Sequence, residues 1–383
     1  MPSQILIISH FAFKDEDKGA VFPQNIRNFL LKRIGKLTYI DHPFPEANFP
    51  ASQITIYENS ERVYQLTSPM LKLPTLFLFI YQFFLTIFFL IIKPVKYDLV
   101  IACDNLSFIS TLIFRKLGLI KKLIYYTVDY SPKRFNNRFL NSLYQYMDRV
   151  ACMISDKNWV TVKEMVTAKT QNGLDLKKCA PFQIVPIGFN KNDIALKPTT
   201  KVNRFNLVFA GVLYEKQGLQ LVINSLPKLI KKFPRIKLTI IGDGPYKSDL
   251  KKIIEQKKLK SYVKFCGYIN NHREVVKIIL KNGIGLATYN PRLGDYSYYA
   301  DPSKIKLYLL CGLPVITTEV PPIAKKIDKE KSGIVIDYSE TDLINALEIL
   351  FVSKKYAKYR NNALKTAKSY DDNIILEKAF REL

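Results

Sequence analysis

The sequence predicts an α/β chain built from two doubly wound, Rossmann-like domains, and three observations carry that prediction. The chain has 383 residues, more than one ordinary domain needs and comfortable for two. Hydrophobic residues make up 48% and charged residues 24%, so a large core can be buried; disorder, collagen and small disulfide scaffolds are excluded. Short apolar runs alternate with helical stretches along the whole length, the pattern of parallel βαβ units.

In chain order, residues 4–9 are a short apolar run that reads as a buried strand. A polar loop follows at 14–19. Residues 25–36 read as a helix with Ile26, Phe29, Leu30 and Ile34 on one face. Strands are expected at 97–102, 123–128 and 158–161, with a helix at 137–154. Between Lys72 and Lys93 there is no charge. That run, 73–92, is long enough to cross a bilayer. A strand begins almost at once after it, however, and a crossing would put the flanking strands on opposite sides of the membrane. Six Phe, Tyr81 and the flanking lysines fit a helix lying in the membrane surface. A fully buried core helix and a true crossing are the two other readings.

Residues 180–204 contain Pro181, Pro186, Gly188 and Pro198 and read as a domain end and a linker. The expected organisation is a first domain at 1–190, a linker at 191–204, a second domain at 205–355 and a helical tail at 356–383 that packs back on the first domain. In the second domain, strands are expected at 206–211, 235–242, 263–267, 285–288, 314–318 and 333–336. Helices are expected at 219–232, 246–258, 273–282 and 303–311, and a helical stretch from 341 onward.

The net charge of +25 comes from 58 Lys+Arg against 33 Asp+Glu. Before Thr200 there are 25 basic and 15 acidic residues, and from it onward 33 and 18, so the excess is spread rather than gathered into a nucleic-acid-binding face. No nucleic acid partner is expected; an anionic membrane surface or a phosphate-bearing substrate fits. The five cysteines are scattered without a CxxC pair, and the three histidines, His10, His42 and His272, are far apart in sequence. No metal site and no disulfide framework is expected, and a reducing, cytoplasmic compartment is. The amino-terminal run lacks the basic region and cleavage site of a signal peptide.

Two loops of the second half follow strand ends and precede helices: Gly211-Val-Leu-Tyr-Glu-Lys-Gln-Gly218 and Gly242-Asp-Gly-Pro245. Glycine there lets a ligand approach the backbone, and the helix start offers N–H groups to a phosphate. Lys216 adds a point charge for a diphosphate. Each loop taken alone also reads as a tight βα turn. A third segment runs from Tyr299 to Thr317; Pro302 and Ser303 mark a helix start and Gly312 its end. Lys304 then sits in the first turn, where the helix dipole disfavours a cation. An anion at the site would offset that, which makes Lys304 a diphosphate ligand; the other reading is a solvated lysine.

These segments resemble glycosyltransferases of the two-domain GT-B fold, group 1 (family 4-like), whose domains face each other across a cleft. Phe209-Ala-Gly211 with Lys216-Gln-Gly218 looks like the family's donor-phosphate loop, and Gly242 and Gly244 stand in its next strand-loop. Residues 263–268, ending in Tyr268, resemble the segment whose loop holds the nucleobase. Ser303-Lys304 through Gly312-Leu-Pro-Val-Ile316 resembles the signature helix under the donor sugar and diphosphate. In the first half, Gly19 stands near the family's glycine loop and Val185-Pro-Ile-Gly188 resembles its strand end before the linker. The chain departs where the family has two glutamates eight apart: Tyr299 and Leu307 hold those positions, and Val212 replaces an arginine. A galactofuranosyltransferase-like branch shares the lysine and the Gly-Leu-Pro-Val-Ile run without the glutamate.

The resemblance implies transfer of a sugar from a nucleotide-sugar, UDP-linked, to a glycan or lipid-linked glycan in bacterial surface polysaccharide synthesis. No metal and no cofactor other than the substrate itself is implied, and the location is the inner face of the cell membrane. Asp301, the acid nearest the missing glutamate, is the candidate for contacting the donor sugar. The family's first-domain histidine is absent, and Asp129 stands closest to its place; it either orients the acceptor hydroxyl or caps a strand-to-helix loop. A binding or scaffold partner with a degraded site is the other class. A nicotinamide dehydrogenase is excluded by the lack of GxGxxG after the first strand, and an epimerase on the same fold would need more acidic and histidine residues.

Overall fold

The computed structural model describes residues 2–11, 23–44, 51–71, 73–190, 194, 196, 202–293 and 296–383. Gly19 and most of the expected linker at 191–204 lie outside the described residues. The chain forms two compact units, residues 1–187 with 375–383, and residues 188–374.

The first unit is built on an eight-stranded sheet. Its strands are β1 (Gln4–Phe11), β2 (Lys36–Pro43), β3 (Gln53–Glu58), β4 (Glu61–Thr67), β5 (Tyr97–Ala102), β6 (Ile120–Thr127), β7 (Lys157–Val160) and β8 (Phe182–Ile184). The order is β4-β3-β2-β1-β5-β6-β7-β8. Pairing is parallel from β2 through β8, while β2–β3 and β3–β4 are antiparallel. Helices α1 (Gln24–Leu31), α2 (Thr75–Ile92), α3 (Asn105–Lys116), α4 (Arg138–Ile154) and α5 (Lys163–Gln171) connect the strands. Alternate residues of the central strands feed two separate cores, Ile5, Ile7 and Tyr39 on one face and Leu6, Ile8 and Ile40 on the other.

The helix expected through residue 36 ends at Leu31, and Lys36 opens β2. The hairpin of β3 and β4 turns at Asn59 and Ser60, both with positive φ (50° and 71°), a two-residue turn without glycine.

Helix α2 occupies the uncharged run. Gln82, Leu85, Thr86, Phe89 and Leu90 face inward. Phe77, Ile80, Phe84, Phe88 and Ile91 form an outward stripe at helical spacing, between 46% and 62% exposed. This rules out the fully buried core helix. By length and composition α2 is apolar enough to cross a membrane, and a third of it is buried in the protein. Strands β4 and β5, on either side of α2, belong to one sheet.

The second unit has a six-stranded, all-parallel sheet. It contains β9 (Asn206–Ala210), β10 (Lys237–Ile241), β11 (Val263–Gly267), β12 (Ile284–Ala287), β13 (Val315–Thr317) and β14 (Gly333–Val335). The order β11-β10-β9-β12-β13-β14 is the 3-2-1-4-5-6 order of dinucleotide-binding folds, with its reversal between β9 and β12. Helices α6 (Leu219–Lys232), α7 (Lys247–Gln256), α8 (His272–Ile279), α9 (Ser303–Leu310), α10 (Ala324–Glu330), α11 (Glu340–Phe351) and α12 (Ser353–Ala367) complete it. Arg360 of α12 donates to the Gly312 carbonyl at 2.6 Å, which holds α12 in this unit. Of the tail expected at 356–383, only residues 375–383 belong to the first unit, within and after α13 (Asp372–Arg381). There Phe380 packs on Phe29 and Trp159.

Candidate donor and acceptor sites

In open α/β sheets ligands bind outside the carboxyl ends of the strands, where the strand order reverses. In the second unit that place lies between β9 and β12. The loop after β9 crosses it: Asn290 N–H donates to the Lys216 carbonyl at 2.9 Å and Thr288 Oγ1 to the Gly218 carbonyl at 3.1 Å. Gly218 has φ +72°, and a Cβ there would stand 1.7 Å from the Thr288 carbonyl oxygen. Only glycine closes this turn. Gly242 has a similar structural reason: a Cβ on it would stand 2.0 Å from the Gly211 carbonyl oxygen. The Gly211 and Leu213 N–H groups bond to the Ile241 and Asp243 carbonyls, and a Cβ on Gly244 would press on Leu213. Gly211, Gly242 and Gly244 thus allow two adjacent loops to lie against each other.

Helix α9 starts after Pro302, and among the described residues no side chain caps its first turn. Its far side is fixed where the Ala210 N–H donates to Tyr308 Oη at 2.6 Å. Ser303 is exposed and Lys304 partly buried. The Lys304 ammonium lies over two aromatic faces, Phe209 at the end of β9 (4.4 Å to the centroid) and Tyr289 just past β12 (4.6 Å), and donates to Gln217 Oε1. It therefore stands at the reversal point itself. Among the described residues no carboxylate pairs with it. Burial lowers its pKa to about 7. A partly buried cation in a helix first turn, neutralised by no carboxylate, favours an anion as partner. Lys216 lies in the same loop, its ammonium 5.6 Å from the Tyr214 ring centroid. Tyr268 follows β11, half-exposed, with its hydroxyl 3.4 Å from Asn270 Oδ1.

Asp301 differs from expectation. Its carboxylate pairs with Lys306, both side chains are almost fully buried, and Lys306 lies over the Tyr370 ring at 4.8 Å. The pair ties the start of α9 to the segment before α13, so Asp301 is a packing residue and not a group presented to a sugar. Leu307, at the family's glutamate position, is 6% exposed and belongs to the core.

In the first unit Asp129 is exposed and pairs with Arg134 at 3.0 Å. The sheet's own reversal point lies elsewhere, between β1 and β5. There His10, at the end of β1, places Nδ1 2.9 Å from Asp104 Oδ2. Asp104 caps α3, accepting from the Ser107 N–H at 2.8 Å and from its hydroxyl at 2.7 Å. Burial would raise the Asp104 pKa, but His10 and the Ser107 donors outweigh it and hold it at about 2. His10 and His42 are not apart in space: their rings stack with centroids 4.8 Å apart. The sequence contains no motif that joins them; only the parallel register of β1 with β2, which sets His10 beside His42, does so.

Residues 204–352 match the family described as Glycosyl transferases group 1. The GPI3 subunit of phosphatidylinositol N-acetylglucosaminyltransferase of Saccharomyces cerevisiae (strain YJM789) is 25% identical over 253 residues, 63% of this chain and 52% of that protein. The Escherichia coli (strain K12) protein WcaL, named for a colanic acid biosynthesis glycosyltransferase, is 22% identical over 253 residues, 63% of this chain and 58% of its own. The chain thus spans about half the length of the curated relatives it matches. The crystal structure of Anabaena HepE in complex with UDP superposes with a TM-score of 0.66 at 16% identity, covering 99% of this chain and 100% of that one. The chain therefore has the GT-B fold, and residues 204–352 of its second unit are similar to the group 1 glycosyltransferases.

Proposed function

We propose that the protein transfers a sugar from a UDP-linked donor to a glycan or lipid-linked glycan, in the assembly of bacterial surface polysaccharide. The single observation behind this reading is Lys304, held at the reversal point of the second sheet without a carboxylate partner among the described residues. As the donor bond breaks, the leaving diphosphate gains charge, and Lys304, Lys216 and the N–H groups at the start of α9 stabilise it in place, without a metal. UDP in the HepE structure supports the choice of nucleotide, and the name of WcaL supports the polysaccharide class. The phosphatidylinositol acceptor in the name of the GPI3 relatives supports a lipid-borne one. The outward stripe of α2 then lies in the acyl boundary of the inner leaflet of the cell membrane, with Lys93 and Lys96 at anionic headgroups.

The buried Leu307 and the Asp301–Lys306 pair favour a second reading, a scaffold subunit with a degraded centre. UDP- and GDP-sugars with membrane extract as acceptor separate the two. Release of UDP from one donor, dependent on extract, is the expected result. UDP binding without turnover would identify the scaffold, and absence of both would refute the donor site.

A further inference from the structure

In the first unit, the end of β1 carries a polar group that neither the fold nor the donor site uses. The His10 side chain is 4% exposed, and its Nε2 has no hydrogen-bond partner among the described residues. Leaving such an atom buried and unpaired costs about 1–3 kcal/mol. Its tautomer is set from the other side of the ring. The Asp104 carboxylate, accepting from Nδ1, leaves the Nε2 lone pair free to accept. The ring cannot turn away easily: His42 stacks on it, and Phe44 and Phe79 flank it at 6.0 and 6.1 Å. His42 adds no charge, because burial pushes its pKa well below the usual value. Both its nitrogens are occupied, by Ser52 and Thr86 hydroxyls at 2.8 Å. One turn before Thr86 on α2, Gln82 donates to the Pro43 carbonyl while its Oε1 is likewise buried without a partner among the described residues.

We propose that the His10–Asp104 pair binds a hydroxyl of the acceptor, a ring polyol carried on a lipid, which donates to His10 Nε2. Oriented acceptor atoms among aromatic faces suit a sugar or cyclitol ring, whose C–H faces pack on aromatics while its hydroxyls need acceptors. The site lies where the strand order of this sheet reverses, and it replaces Asp129 as the acceptor contact. This deepens the glycosyltransferase reading and rests on it for the word acceptor.

The test uses the full chain labelled with 15N-histidine, which gives three side chains to assign. Long-range 1H–15N spectra are recorded with dioctanoyl phosphatidylinositol, with octyl glucoside and with dihexanoyl phosphatidylcholine, which has no ring hydroxyl. In the free protein His10 Nε2 is expected to be unprotonated. It is expected to shift toward the hydrogen-bonded position with one or both hydroxylated lipids and not with phosphatidylcholine, and the lipid that acts identifies the headgroup. In His10→Phe the affinity for that lipid is expected to fall about tenfold, with UDP affinity unchanged. A protonated Nε2 in the free protein, no shift with either hydroxylated lipid, an equal shift with phosphatidylcholine, or unchanged lipid affinity in His10→Phe overturns the proposal. The spectra of the unaltered protein decide even where His10→Phe fails to fold. UDP-sugar turnover in the same preparation keeps the two readings apart. A His10 shift without turnover sinks glycosyl transfer and leaves a polyol site, whereas turnover without the shift sinks only the site.

Discussion

Binding of UDP should draw a proton onto Lys304. The apo side chain has its pKa lowered to about 7 by burial. At about pH 8 roughly a tenth of the molecules therefore carry the charge. A diphosphate beside the ammonium favours the charged form and returns the pKa toward its ordinary value. Each UDP bound at about pH 8 should then take most of a proton from the buffer, whereas Lys304 itself adds close to none at about pH 6, where it is already largely charged. The nucleotide adds no proton change of its own at the upper pH, because a terminal phosphate loses its last proton near about pH 6. Isothermal titration calorimetry in phosphate, HEPES and Tris measures this directly: observed enthalpy plotted against buffer ionisation enthalpy has a slope equal to the protons taken up. In Lys304→Met the slope should vanish and UDP should bind roughly 10- to 100-fold more weakly, the loss expected for a charged hydrogen bond. A flat plot at pH 8 with UDP binding intact would mean that Lys304 gains no proton beside the diphosphate. The same linkage acts on stability. The folded state binds fewer protons at Lys304 than the unfolded state between pH 7 and 10.5, so this group's contribution to stability rises with pH across that window.

Replacing both lysines, Lys216→Ala with Lys304→Ala, should cut sugar transfer at least about a hundredfold while the circular dichroism spectrum stays native; wild-type turnover in the double variant would remove the donor site. Asp301→Asn strips the counter-ion from buried Lys306 and should cost about 3–5 kcal/mol in urea unfolding, with UDP affinity in the surviving folded protein unchanged; a selective loss of donor binding would restore Asp301 to the sugar. Gly218→Ala forces a Cβ against the Thr288 carbonyl at a positive φ, and a destabilisation of at least about 2 kcal/mol is expected from the urea midpoint. The protein should co-sediment with anionic liposomes at low salt, less so at high salt, and Phe77→Ser with Phe84→Ser and Phe88→Ser should abolish this; equal sedimentation of the triple variant would separate α2 from the membrane.

The second unit is the more legible in sequence, and for a physical reason. Its central strand β9 is buried after the first residue and reads as an apolar run, and a glycine closes each of β9, β10 and β11, although Lys237 and Lys264 stand exposed in β10 and β11. The helix α6 begins and ends where its periodicity says. In the first unit, residues 36–67 give no such signal. Strand β4 is mostly exposed, its alternation is weak, and the hairpin turn is Asn59-Ser60 rather than Asn-Gly. The short polar-rich helix α5 escapes for the same reason.

At the sites, spacing finds Lys304, because a lysine after a helix-opening Pro-Ser is unusual for the dipole. It does not find Gln217, Phe209 and Tyr289 as the groups around that lysine, which come from three separate segments. Asp301 misleads because nearness in sequence to a family position says nothing of its carboxylate, which Lys306 five residues on takes up in the core. His10, Asp104 and His42 are invisible for the converse reason: each is an ordinary residue at a strand end, and only the sheet order makes them neighbours.

A crystal structure of the protein with UDP would show whether Lys304 holds the diphosphate. A β-phosphate oxygen is expected within about 3 Å of Lys304 Nζ, against the first turn of α9 and between the ends of β9 and β12. UDP bound with its diphosphate away from Lys304, while the ammonium keeps its seat on Phe209 and Tyr289, would contradict this placement.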